Sequence, residues 1–503
     1  MTRWTTRRRA LLSVCGGLLA LHPCSLAAQC PDGSAPPCSG SPRAAPARNS
    51  VAVLYFETRD SADAYLADGL TEDLTSLLGN VSSVQVKSPG VVRRAQRAAP
   101  GNAPAIAHAL GVRYLVDGSV RRIGQRVRVA TRLLYGATAV TAWGEVFDRT
   151  PDELLALPSV IAREVATRVG GGPPIGNSAI GTLRTRSPAA NDHYLRGNFF
   201  LALRSPEATA RALVEYREAE RLDSGFAAAI GRAAYTYALA RTNYYRLPDS
   251  PIESLAVRGI SIADRALRRD STSSDAWMAR GFLLAYDDPR TLDRSAQAFE
   301  RAIALDPKNA EAHHQYGQIL NWLGRHDDAG RELHFALALD PAHAISYVDL
   351  TWTYIRDTAL ALSLGDSAVA LDPASAYAHR SRALARLRAG DKRGAREDAE
   401  VANRLQPGSL TMELVLAVVL AQTGDSARAR SLIVRWPDAT SWLALAALVA
   451  LGDSATALDR LEHWPPDPGI WAALQRPEFD SLHGNARYER LVVALRPEGA
   501  VGP

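Results

Sequence analysis

Sulfur and aromatic side chains are scarce in this chain of 503 residues: three methionines, four cysteines, and phenylalanine, tryptophan and tyrosine at 7% together. So few cysteines exclude a disulfide-dense scaffold and a zinc site built mainly of thiolates. No Cys-x-x-Cys redox pair occurs. Catalytic signatures are missing as well. The chain has no Gly-x-x-x-x-Gly-Lys-Ser/Thr phosphate loop, no Gly-x-Ser-x-Gly elbow, no His-Glu-x-x-His pair and no Ser-x-x-Lys pair. Charge of one sign is also short. The net charge is +5, and four of those charges are Arg3, Arg7, Arg8 and Arg9 in a stretch, residues 1–28, that holds no acidic residue. The remaining +1 gives no basic footprint for nucleic acid.

What is present begins with a basic-then-apolar leader. Arg7–Arg9 precede Ala10–Leu21, and Ser25-Leu26-Ala27 offers small residues around a cleavage point, so residues 1–28 read as a secretory signal peptide. The apolar run is shorter than the ~20 residues of a membrane span. The alternative is an uncleaved inner-membrane anchor. Residues 29–49, rich in Pro, Ala, Ser and Gly, read as a flexible tether. Within it Cys30 and Cys38 flank a Pro/Gly loop, which in an exported chain suggests a local disulfide. Two free thiols in a loose tail are the alternative. The expected location is the periplasm or cell envelope.

Residues 50–170 change character. Ser50–Phe56 suits a buried strand, residues 67–78 carry helical spacing at Leu70, Leu74, Leu77 and Leu78, and residues 84–87 alternate like a strand. A short helix over 104–110 stops at Gly111. Strands follow over 112–120, 126–135 and 139–147. In the second of these, Val127, Val129, Thr131 and Leu133 alternate with Arg126, Arg128, Ala130 and Arg132, as in a sheet wet on one face. Pro151 opens a last helix through Val169. The order β-α-β-α-β-β-β-α predicts a compact α+β unit, a mixed sheet with helices, ended by the Gly170–Pro174 breaker. Residues 171–186 read as a linker. Asp68-Gly69 and Gly118-Ser119 read as turns or helix starts.

The segments SVAVLYF (50–56), LADGLTED (66–73), LGVRYLVDGSVRR (110–122), Arg126-Val-Arg128 and Trp143-Gly-Glu145 fall in an order that resembles the TolB amino-terminal-like domain. In many bacterial relatives this module precedes tetratricopeptide repeats, with a kinase, a nucleotide cyclase or a DNA-binding domain ahead of it. Here a signal-like leader occupies that place, and no β-propeller pattern follows. The resemblance implies no catalytic residue.

From residue 187 the chain is helical and periodic. Leu-Asp-Pro recurs at Pro307, Pro341 and Pro373, and Leu-Gln-Pro at Pro407, in steps of 34, 32 and 34. In the unit from Ala310, Gly317, Leu320, Ala329, Leu333, Ala336 and Pro341 fall where small and large residues alternate in a stacked helix pair. The pattern resembles the tetratricopeptide (TPR) repeat. It predicts an all-α TPR solenoid of roughly seven helix pairs over 187–473, with a capping helix and tail over 474–503. In such a solenoid the first helices line a concave groove. The register assigns to it Met278, Phe282, Tyr286, His314, Gln318, Asn321, Trp322, Trp352, Ile355, Arg356, Tyr377, Arg380 and Arg388. Aromatics beside arginines suit a peptide with apolar anchors and carboxylates. Packing against neighbouring repeats is the competing account.

His313-His314 reads as a packing doublet, because adjacent helix residues point in different directions. His326 and His334 are expected to face solvent, as are the carboxylates of Asp327-Asp328 and Glu397-Asp398. No cofactor motif, metal-ligand spacing or acid–base constellation emerges. The expectation is a non-enzymatic protein-protein interaction scaffold of the bacterial envelope, with a protein or peptide partner, no nucleic acid, and membrane contact only through an uncleaved leader. The alternative is a sensory module binding a small ligand near Arg126, Arg128 and Arg132, its state relayed by the repeats.

Overall fold

Strand-forming and helix-forming halves meet in one compact unit that starts at Pro46. The computed structural model describes residues 45–170 and 185–501, apart from 204, 244, 249, 289, 291 and 466. The leader, the Cys30–Cys38 pair and nearly all of the 171–186 linker lie outside the described residues.

The sheet runs in the order β3-β1-β4-β5-β6, with β2 set against β4. Its strands are β1 (Ser50–Val53), β2 (Glu57–Thr58), β3 (Gln85–Val86), β4 (Tyr114–Ile123), β5 (Arg126–Tyr135) and β6 (Thr141–Arg149). β1 pairs in parallel with β3 and β4, while β4, β5 and β6 form an antiparallel meander. β1 is buried on both faces. Helices Ala64–Gly79 and Leu157–Gly170 cover one face over a core containing Val53, Leu74, Leu133 and Ile161; helices Pro89–Ala98 and Ala103–Leu110 cover the other over Ala52, Val92 and Ile106. The α+β expectation holds. The helix Pro89–Ala98 is an addition: Pro89 stands at the first helical position after Ser88, where its missing N–H costs nothing.

Two turn assignments are corrected. Asp68-Gly69 lies inside helix Ala64–Gly79, where a Cβ on Gly69 would press 2.7 Å from Leu195 Cδ2. Gly118-Ser119 lies mid-strand in β4. A side chain on Gly118 would strike the Ala130 carbonyl and sit 2.5 Å from the Phe56 ring.

From Pro188 eight helix pairs stack among the described residues, one more than the register suggested. They run from Pro188–Ala202 with Pro206–Leu222 to Trp442–Ala450 with Ser454–Glu462. The Leu-Asp-Pro signature has a local cause. Each Asp closes a second helix, and its side chain accepts the N–H two residues on: Asp306 from Lys308, Asp340 from Ala342 and Asp372 from Ala374. Proline then prevents the helix from continuing. Asn309 or Ser375 caps the next first helix by accepting from Ala312 or Ala378. Gly317 is small because Leu333 of the paired helix occupies the space a Cβ would need, 2.7 Å from Leu333 Cγ.

Candidate functional site: the concave face and its occupant

Apart from Ile355 and Arg356, which lie in the turn after helix Ala344–Thr353, the predicted groove residues stand on first helices, but much of that face is covered. Met278 and Phe282 are buried at 1% and 2% exposure, which corrects their assignment as contact residues: they pack into the main hydrophobic core. His314, Asn321, Trp322 and Ile355 are also buried, so these too do not face an open groove. Tyr286, Gln318, Trp352, Tyr377 and Arg380 are half-buried, and Arg356 and Arg388 are exposed.

What covers the central part is the chain's own C-terminal segment, made of helix Ile470–Leu474, the 3-10 turns Pro477–Leu482 and the tail beyond, while helix Ala486–Ala494 between them pairs with the last repeat helix, Ser454–Glu462, through Arg487. Trp471 and Ala472 join the same hydrophobic cluster as Trp322 and Leu323. The Val501 N–H donates to the Leu323 carbonyl at 2.9 Å, and the Glu498 N–H to Arg290 at 2.8 Å. Arg356 donates to the Gln475 carbonyl at 2.7 Å and to Asp480 Oδ1 at 3.0 Å. The buried Arg476 lies between two indoles, 4.8 Å from the Trp352 ring centre and 4.6 Å from that of Trp442, with Glu478 Oε1 at 3.0 Å. Further along, Tyr286 meets Trp322 edge-on at 5.9 Å, and the Arg241 guanidinium covers Tyr286 at 4.7 Å. Periodicity supplied the groove side of these contacts. It was silent on the occupant, because a non-repetitive segment has no register to read.

The histidine doublet is more than packing. His313 Nδ1 meets Glu332 Oε2 at 2.6 Å, and its Nε2 meets the Pro307 carbonyl at 3.2 Å. Burial lowers its pKa, but the two acceptors outweigh this and leave it raised. One arrangement recurs in a later repeat: His379 Nδ1 meets Asp398 Oδ1 at 2.8 Å and Nε2 meets the Pro373 carbonyl at 3.0 Å. Asp398 is therefore no solvated carboxylate, as its place on a second helix suggested. At 3% exposure it also accepts from Arg382 Nε at 2.7 Å and pairs with Arg386 Nη1 at 3.0 Å. Burial would raise its pKa, and the hydrogen bonds from Arg382 and His379 outweigh it and hold the carboxyl below its usual range. Glu397, His326 and His334 are exposed, as expected; Asp328 pairs with Arg325 at 2.6 Å.

The arginines of the basic face of β5 are paired with carboxylates of neighbouring strands. Arg126 and Arg128 both pair with Asp148 at 2.8 Å, and Arg132 with Asp117. A cavity of about 910 Å³ lies elsewhere, between the α+β unit and the first repeat. Its walls include Leu66, Leu70, Leu154 and Phe199. At one side Tyr65 donates to Asp192 Oδ1 at 2.5 Å, Arg196 pairs with Asp192 at 2.8 Å, and Arg122 pairs with Asp63 at 3.0 Å. Burial, with the Asp192 carboxylate adding to it, pushes the Tyr65 hydroxyl up to about 12.

A cluster that the sequence reading passed over joins two repeats: Glu311, His314 and His343 bring donor atoms within 4.8 Å of one another. The signal for two of them was legible, since Glu311 and His314 stand at i and i+3 on one helix face. His343 enters from the next repeat.

A tetratricopeptide repeat family model matches residues 298–331. "Putative adenylate cyclase 3" of Rhizobium meliloti (strain 1021) is 35% identical over 125 residues, 24% of this chain and 21% of that protein, so the chain spans about a fifth of the curated relative it matches. Among solved structures, Pseudomonas aeruginosa pilF is 15% identical with a TM-score of 0.35, covering 46% of this chain and 98% of that one. Yeast Tom70 is 17% identical with a TM-score of 0.38, covering 62% and 66%. No helix among the described residues is long and apolar enough to cross a membrane. The helical part of the chain is a solenoid of tetratricopeptide repeats, preceded by a mixed six-stranded sheet.

Proposed function

We propose that the protein is a non-enzymatic interaction scaffold of the bacterial cell envelope, with a TolB amino-terminal-like domain at its head and a concave TPR face that takes a protein or peptide partner. The occupied groove carries this reading. The face already holds polypeptide, with an indole, Trp471, seated beside Trp322 and Leu323 and a carboxylate, Asp480, on Arg356. A partner presenting an aromatic anchor and an acidic side chain would meet the same groups, and aromatic residues and arginine are the usual energetic centres of such contacts. Its binding would displace residues 470–501, so the free energy of holding that segment is subtracted from the partner's affinity. Export rests on the leader at residues 1–28.

The experiment is affinity capture from the periplasmic fraction with the full chain and with Asp480→Arg, which repels Arg356 and weakens the seated segment. Partner recovery that rises in Asp480→Arg and falls in Trp352→Ala supports the scaffold reading. Recovery indifferent to both, or a native protein that stays in the cytoplasmic fraction with its leader intact, sinks it.

The cavity of about 910 Å³ favours a second reading, a sensory module whose small ligand sits beside Tyr65 and Arg122. Its size falls within the range of small-molecule sites. Because helix Ala64–Gly79 packs directly on the first repeat through Gly69 and Leu195, a ligand there would bear on both units. A thermal-shift screen in which Tyr65→Phe and wild type respond alike to every compound would remove this reading.

A further inference from the structure

We infer that Glu311, His314 and His343 form a binding site for a divalent transition-metal ion, zinc above all, that ties two successive repeats together. Glu311 and His314 project from one face of helix Ala310–Trp322, and His343 stands at the N-cap of the next first helix, Ala344–Thr353. Their donor atoms lie within 4.8 Å of one another, and His343 Nε2 and Glu311 Oε2 are 3.5 Å apart. Zinc bonds of about 2.0–2.2 Å place tetrahedral ligand atoms about 3.3 Å apart, so one pair already has the right spacing and His314 closes the rest by a small ring movement. Two imidazoles and a carboxylate are the donor set that suits zinc, with a fourth position for water.

The surroundings point the same way. Each donor residue is held from behind by a group that fixes its orientation. His314 Nε2 meets Asp349 Oδ2 at 2.8 Å, which holds the ring in place. His343 Nδ1 meets Ser346 Oγ at 2.8 Å, which leaves Nε2 toward Glu311. Glu311 Oε1 accepts from Tyr235 Oη at 2.5 Å and from Gln315 Nε2 at 2.9 Å, which leaves Oε2 toward His343. Outer partners of this kind set the tautomer and basicity of metal-binding histidines. The imidazole rings stand at 75° with centres 4.9 Å apart, an approach that a shared cation stabilises and that two protonated rings would oppose. His313, the other member of the doublet, is turned away toward Glu332 and takes no part.

The test uses the full chain without an affinity tag and zinc itself as the probe. Titration calorimetry and metal analysis after dialysis are run on wild type, His343→Ala, Glu311→Gln and the control His334→Ala, whose exposed histidine lies outside the cluster. One zinc per chain, retained in His334→Ala and weakened at least tenfold in both His343→Ala and Glu311→Gln, supports the site. Cobalt substitution adds a readout on the unmutated protein, with visible absorption bands of tetrahedral intensity expected. Zinc not retained at one equivalent, or retained equally by His343→Ala and Glu311→Gln, overturns it, as would a cobalt spectrum with the weak bands of an octahedral aquo ion.

Discussion

Arg356, on the concave face of the repeats, donates to Asp480 of the C-terminal segment at 3.0 Å. The pair spans 124 positions of sequence, and both partners are roughly half exposed, at 55% and 44% of their side-chain surface. An exposed pair of this kind contributes at most about 1 kcal/mol. The anchor of the segment must then be apolar. Trp471, 3% exposed, is the side chain that fills the space beside Gly324 and Trp322. Trp471→Ala is expected to destabilise by about 3–5 kcal/mol, because it removes a large buried ring and leaves a cavity. Urea denaturation measures the loss. Hydrogen exchange is the sharper test: amides of residues 310–322 and 470–494 should lose protection together, while the sheet keeps its own. An Arg356→Ala change should move the urea midpoint far less.

Asp398 serves three partners at once. One buried carboxylate accepts from His379 and Arg382 and pairs with Arg386, so truncating it strands cations in a region with little water. Asp398→Ala is expected to cost about 3–5 kcal/mol, the range for removing one partner of a buried pair. The sign with pH follows from its lowered pKa. A carboxyl whose folded pKa is depressed contributes stability that is fully present above the unfolded value, about 3.9, and is lost as pH falls through the folded one. Wild type should therefore lose stability in acid below about pH 4 more steeply than Asp398→Asn. Parallel acid-denaturation curves for the two proteins would contradict this.

How much was legible follows from what repeats and what does not. The small residue at Gly317, the Leu-Asp-Pro closures and the alternation of Val127 and Val129 with Arg126 and Arg128 are local patterns, and the structure obeys them. Around β5 the sequence shows the cations and hides the carboxylates opposite: Asp148 and Asp117 come from neighbouring strands in register. The groove residues other than Ile355 and Arg356 stand on first helices, yet their covering comes from a distant segment that carries no period. The donors at Glu311, His314 and His343 combine an i, i+3 pair with a residue one repeat on, a spacing that becomes close only once the helices stack.

His313 offers the opposite pH sign. Burial lowers its pKa, but Glu332 and the Pro307 carbonyl outweigh this and raise it. A histidine whose folded pKa is raised contributes stability that is fully present below the unfolded value, about 6.5, and is lost as pH rises through the folded one. Nitrogen-15 NMR of the His313 ring should show a protonation midpoint above the ordinary imidazole value of about 6.5. In His313→Gln the stability change across this window should flatten. A His313 midpoint at or below about 6.5 would refute the assignment.

Gly118 tests the sheet rather than the solenoid. It sits mid-strand in β4 opposite Thr131 of β5, where a strand residue normally carries a side chain. No positive φ demands glycine there. The demand is steric, since the Phe56 ring and the Ala130 carbonyl fill the place of a Cβ. Phe56 is 4% exposed, and its N–H is fixed by a 3.1 Å bond to Thr71 Oγ1, so the ring has little room to withdraw. Gly118→Ala gains backbone restriction in the unfolded chain worth about 0.4–1 kcal/mol. Overpacking costs about 1–3 kcal/mol, and against a backbone carbonyl the upper part of that range applies. The expected balance is a net loss of about 1–2 kcal/mol. Gly118→Ala paired with Phe56→Leu should recover part of the deficit, since the shorter side chain vacates the ring's space. A double-mutant cycle reads this as coupling between the two sites, and strictly additive losses would show that the glycine is required for some reason other than Phe56.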